Sequence, residues 1–273
     1  MRKPARSAHF LGPRAFLVRG LLAGLLAGFA AFLVAHQVGE PSVERAITLE
    51  EAGDAGHSHD GASHDGDESA HTHDEGGTVV SRSNQRTWGL ATGTLAVGLA
   101  LGGLVALVSA AVVGRLGRLT PGQSTAVVAA VGFVAVALVP FLKYPANPPA
   151  VGSAETIGDR TGYYFVFQLI SLLVAVAVVA LAARLWEAIG AFEAVVAAAA
   201  AYVVVMVVAG VLMPTVNEVG DFPADTLWFF RRASLFTLAT LWAVLGVAVT
   251  GMVRSLGERS RVDAQRRELA ASL

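Results

Sequence analysis

Six long apolar runs dominate the chain. They cover residues 15–38, 88–114, 124–142, 163–183, 194–213 and 233–253. A helix needs roughly 20 apolar residues to cross about 30 Å of hydrocarbon, and each run is of that order. Only the first contains a charge, Arg19, placed near its start where a long side chain can snorkel to the interface. In hydrocarbon every backbone amide must be satisfied within its own segment or in a closed barrel. The runs lack the alternation of barrel strands, so the pattern predicts an all-α, polytopic membrane bundle of six transmembrane helices.

Composition agrees with that reading. Hydrophobic residues make up 54% of the 273 residues and charged ones 15%, against about a quarter in an ordinary soluble domain. A cytosolic enzyme or a nucleic-acid binder is excluded. The chain has no cysteine, so disulfides, thiolate metal sites and cysteine nucleophiles are absent. Arg2, Lys3, Arg6 and Arg14 could open a signal peptide, but the apolar run is long and no Ala-x-Ala site precedes Glu40. The first run therefore reads as a retained helix behind a basic tail, residues 1–14.

Basic residues set the expected orientation. With the N-terminus cytoplasmic, that side holds 13 of the 20 Lys and Arg, while the opposite side holds 16 of the 21 Asp and Glu. Both termini are then cytoplasmic, the second as a basic amphipathic tail at residues 254–273, and a plasma-membrane location follows. Close helix contacts are expected at Gly20, Gly24 and Gly28, at Gly89 and Gly93, at Gly98 and Gly102, and along the alanines of 197–201. Gln168, Ser171, Ser109, Thr237 and Thr240 are suited to hydrogen bonds between helices.

The candidate chemistry lies outside the apolar runs. The connection at 39–87 is expected to be extracytoplasmic, and its middle reads HSHDGASHDGDESAHTHDEGG. It holds His57, His59, His64, His71 and His73 beside Asp60, Asp65, Asp67, Glu68 and Asp74, with no apolar residue to seed a core. This composition predicts a disordered tract. Neutral imidazole with carboxylate is a ligand set for divalent cobalt, nickel, zinc or copper. Capture should fade as the histidines protonate below roughly pH 6.5.

Two shorter connections on the same side, 143–162 and 214–232, are rich in proline and polar residues. They contribute Asn147, Asn217, Glu218 and Asp225, and the end of the first helix contributes Glu40. These five are candidate oxygen ligands of a vestibule, with Lys143 and Arg231 as counter-charges. His36, at the same end of the first helix, is a further candidate. Prolines after helices are also ordinary stop signals, and charges at membrane margins ordinarily face water. No GxxxxGK[ST], HExxH or GxSxG motif occurs, so neither catalytic residues nor an enzyme are expected.

Three stretches, FLVRGLLAGLLAG…GEPSVERAI, FLKYPANPPAVG…ETIGDRT and MPTVNEVGDFPADTLWFFRRASL, resemble the CbtA family of probable cobalt transporter subunits. The resemblance implies cobalt uptake linked to cobalamin synthesis and a small single-span partner, CbtB, with a histidine-bearing terminus. The family is described with five spans where this chain has six runs, and here the chain carries a histidine tract of its own. The expectation is a permease subunit whose cargo is cobalt, or nickel or zinc, with lipid around it and no permanently bound cofactor. The alternative is a membrane-anchored scaffold or sensor that binds metal without moving it.

Overall fold

A computed structural model describes residues 12–57, 81–116, 119–153 and 155–272. Six helices in it are long and apolar enough to span a membrane. They are α1 (Pro13–Ala52, continuing as helix to His57), α2 (Arg82–Val112), α3 (Pro121–Lys143), α4 (Ile157–Ile189), α5 (Ala191–Leu212) and α6 (Ala224–Ser272). No strand occurs among the described residues.

Local chemistry explains the boundaries. Pro13 and Pro121 sit in first turns, where a missing N–H costs nothing. Thr120 and Gln123 form a reciprocal capping box at the start of α3. Gly190, at φ +95°, is the single residue between α4 and α5, a conformation that needs glycine.

Glycine also fixes the closest packing. A Cβ on Gly20 would lie 2.3 Å from the Gly102 carbonyl oxygen, and one on Gly24 would lie 2.2 Å from that of Gly98. The backbones of α1 and α2 therefore touch along the Gly20–Gly24–Gly28 face, as the spacing predicts. Gly89 and Gly93 do not take part: a Cβ on Gly93 meets nothing within 4 Å. Their spacing is correct, but the face points away from α1. Among the alanines of 197–201, Ala198 is buried, in line with Ala194, Tyr202 and Met206 at four-residue steps.

α6 packs against α1 and α3. Leu245, Val249 and Val253 are fully enclosed there, and the Trp242 ring lies over Gly132. The α4–α5 hairpin joins the bundle chiefly through α3, where Ala135, Phe167, Ala175, Tyr202 and Met206 form a second core. Outward-facing Phe192, Val211 and Leu212 are more than three-quarters exposed, as lipid-facing side chains are.

Several elements run further than the apolar pattern predicts. α1 passes through a π-turn at Ala35–Gly39 and remains helical to His57, inside the stretch expected to be an unstructured connection. α4 absorbs residues 184–189, and α6 continues to Ser272 without a break. Polar residues continue a helix readily once it leaves hydrocarbon, so hydropathy marks the membrane-embedded part and not the helix end.

Candidate functional site

The segments around Glu40, Arg82, Lys143, Ile157, Met213 and Ala224 lie at one end of the bundle, which is polar. The opposite, basic end carries Arg14, Arg115, Arg184 and Arg254.

On one side of the polar end, α1 and α2 rise as a paired stalk. Each has a π-turn there, Ala35–Gly39 in α1 and Gln85–Gly89 in α2. His36 Nδ1 lies 3.1 Å from the Arg86 carbonyl oxygen, and the ring stacks on Phe32. A carbonyl only accepts, so Nδ1 is the donor, and in the neutral ring the lone pair resides on Nε2. Glu40 pairs with Arg82, and Glu44 Oε1 accepts from Arg86 Nη1 at 2.5 Å. Glu40 is 12% exposed and Glu44 is 48% exposed, so the first pair is the more enclosed.

On the other side the two shorter connections are sewn together. Lys143 Nζ donates to the Met213 carbonyl at 3.3 Å, and Tyr144 Oη donates to that of Pro214 at 2.8 Å. Glu218 Oε2 accepts from Thr156 Oγ1 at 2.9 Å and from the Ser153 amide at 3.1 Å, with Arg160 Nε at 3.4 Å. The Thr156 hydroxyl and the Ser153 amide, helped by Arg160, hold the Glu218 carboxyl below its ordinary value. The Arg160 guanidinium lies across Gly152, where a Cβ would come within 2.0 Å of Nη1. Arg231 donates to Asn147 Oδ1 at 2.8 Å and to the Ala146 carbonyl at 3.3 Å, which ties α6 to the first connection.

Between stalk and α6 lies an open cleft of ≈ 610 Å³, lined by Glu44, Arg45, Thr48, Asp225 and Thr226 among others. Asp225 Oδ1 accepts from the Thr226 amide at 2.8 Å.

The candidate ligands thus fall into three places. Asn147 and Glu218 belong to the sewn connections, to which Lys143 at the end of α3 and Arg231 on α6 are bonded. Glu40 belongs to the stalk, and Asp225 to the cleft between stalk and α6. Asn217 is exposed. Among the described residues no group of three or more His, Asp or Glu is disposed to hold a metal. His59, His64, His71 and His73 lie outside the described residues, and His57 is described only as backbone at the end of a helix. The partners Arg82, Arg86, Thr156 and Arg160 were missed by the sequence reading. The matched four-residue spacing of Glu40/Glu44 and Arg82/Arg86 was the signal for the first two.

A polytopic helical bundle with a built polar end is a multi-pass membrane protein. The sequence profile of the CbtA family, described as probable cobalt transporter subunit, matches residues 13–254. The chain belongs to that family. No curated protein and no solved structure matches it.

Proposed function

We propose that the chain is the membrane subunit of an uptake system for a divalent transition metal, cobalt first, and that its histidine tract captures the ion. One observation supports capture followed by hand-over. α1 is helical from the bundle core through the Glu40–Arg82 pair to His57, so the tract begins on a helix rooted in the stalk. Glu40–His57 is 18 residues, about 27 Å at 1.5 Å per residue. In this reading the tract starts outside the hydrocarbon, because the helices before and after it, which end at His57 and begin at Arg82, belong to the stalk.

In this reading the acidic, polar end faces outside and both termini face the cytoplasm, which the distribution of Lys and Arg supports. Metal released by the tract reaches the polar end, where Glu40, Asn147, Asn217, Glu218 and Asp225 are the candidate oxygen ligands. Lys143 and Arg231 are the proposed counter-charges at this end, while Arg82 and Arg160 pair with Glu40 and Glu218 directly. Oxygen and imidazole donors suit cobalt, nickel and zinc. With no nucleotide-binding motif, the driving force is the membrane potential, an ion gradient or an energising partner, and a small single-span subunit fits the partner role.

The second reading is a membrane-anchored scaffold that binds metal through the same tract and passes it on without moving it across the membrane. Cobalt and nickel accumulation at trace external metal separates the two. Cells lacking their own uptake systems would express this chain alone. Accumulation above the empty-vector control supports a self-sufficient importer. No accumulation, with the protein present in the membrane, supports the scaffold or a required partner.

A further inference from the structure

Between α3, α4 and α5 the bundle leaves an apolar cleft of ≈ 520 Å³. Its walls include Val131 of α3, Ala175, Ala182 and Trp186 of α4, and Ala199 and Tyr202 of α5. Every lining side chain is apolar except Tyr202 and the indole N–H of Trp186, and the Tyr202 hydroxyl is engaged by Ser171 at 2.7 Å. A metal ion would find no ligand here. The mouth opens sideways, past Val195 and Val203, which are 52% and 58% exposed.

The length of the cleft identifies its occupant. Along α4 its lining runs from Ala175 to Trp186, about 16 Å at 1.5 Å per residue. One leaflet contributes about 15 Å of the roughly 30 Å hydrocarbon core. The cleft therefore begins at the basic end, beside Trp186, and stops near mid-depth on Tyr202 and Ala135. Beyond that point the space between the same helices is filled by Phe167, Met206 and Tyr144. A spanning partner helix needs an open face across the whole core, whereas this one is closed over half its depth.

We propose that the cleft is a binding site for one phospholipid acyl chain from the leaflet at the basic end, lying between Trp186 and Tyr202. The α4–α5 hairpin meets the rest of the bundle chiefly through α3, and the lipid chain supplies the missing packing on its lower half. Trp186 lies in the last turn of α4, just past the apolar run, and indoles are enriched at such helix ends beside the headgroups. The site does not depend on which ion the protein handles.

The test uses the full chain purified in detergent, with dioleoylphosphatidylcholine and dioleoylphosphatidylglycerol as probes and native mass spectrometry as the readout. The wild type should retain one phospholipid through delipidation. Ala182→Phe and Ala199→Phe, which place a ring in the cleft, should lower its occupancy about tenfold. Delipidation should lower the melting temperature of the wild type and leave that of Ala199→Phe nearly unchanged. Equal retention in all three proteins would overturn the proposal. A photo-crosslinker at Val203, used in intact membranes, should yield a lipid adduct; a polypeptide adduct would assign the cleft to another chain. That arm leaves the cleft unfilled and so does not depend on the variants folding.

Discussion

Ser171 on α4 donates its hydroxyl hydrogen to the carbonyl of Ala135 on α3 at 2.8 Å. The reason lies at Pro140, further along α3. In the π-helical stretch Phe133–Leu138 the Val139 amide bonds to Val134, five residues back. The next donor in that register would belong to Pro140, which has none, and the carbonyl left waiting is that of Ala135. Ser171 supplies the donor, and with its hydrogen so used its oxygen accepts from Tyr202 at 2.7 Å. One missing N–H thereby ties three helices together.

Ser171→Ala should cost about 1–3 kcal/mol, because it leaves the Ala135 carbonyl buried and unpaired. Tyr202→Phe should cost less, about 1 kcal/mol, since it removes a donor and orphans no buried carbonyl. Adding Pro140→Ala to Ser171→Ala should restore part of the loss by returning an N–H to α3. Thermal unfolding in one detergent measures all four proteins. Equal losses for Ser171→Ala and Tyr202→Phe, with no recovery on adding Pro140→Ala, would rule out this account.

Gly24→Ala should destabilise the bundle by about 1–3 kcal/mol, because the added methyl meets backbone that cannot retreat without separating α1 from α2. Gly93→Ala, where nothing lies within 4 Å, should be neutral or slightly stabilising. The same unfolding assay distinguishes them, and similar losses at both positions would contradict the observed interface.

Glu40→Ala should cost more than Glu44→Ala. Glu40 is the more enclosed carboxylate, and losing it leaves Arg82 without its counter-charge. The exposed Glu44–Arg86 pair should be worth no more than about 1 kcal/mol. Raising ionic strength should erode the second pair first, which a salt series of the two variants would reveal.

The clamp at Glu218 should respond to acid. Its carboxyl is held below the ordinary 4.5, so its contribution is complete above that value and is lost as pH falls through the lower folded-state value. Protease sensitivity of the 143–162 connection should therefore rise only under strongly acidic conditions. Glu218→Gln should abolish that pH dependence. A wild-type transition centred near neutrality would contradict it.

Replacing His57, His59, His64, His71 and His73 together by Asn should raise the apparent KM for cobalt uptake with maximal flux nearly intact. In the wild type the low-metal advantage should disappear below about pH 6.5, as imidazole protonates. Collapse of maximal flux would place the tract in the transport path itself. Replacing Asn217 and Glu218 together should abolish uptake with normal membrane insertion; unchanged uptake would remove them from the candidate ligands.

Much was legible in the sequence because the bilayer restricts the choices. Apolar runs of about 20 residues with at most one charge read as spanning helices, so the six spans and the Gly20–Gly24–Gly28 contact face followed from pattern alone. Spacing could not say which glycine pairs meet. Gly98 and Gly102 face α1 while Gly93 faces open space, and only the rotation of α2 about its axis decides that. The polar candidates show the same division. Residue type marked Glu40, Asn147 and Glu218 as chemically able, but their partners Arg82, Arg231 and Thr156 are 42, 84 and 62 residues away in the chain. Hydropathy is a local property and reports burial in lipid; ion pairs, the Ser171 bond to Ala135 and the cleft beside Tyr202 arise from distant segments brought together, which the tertiary structure alone decided.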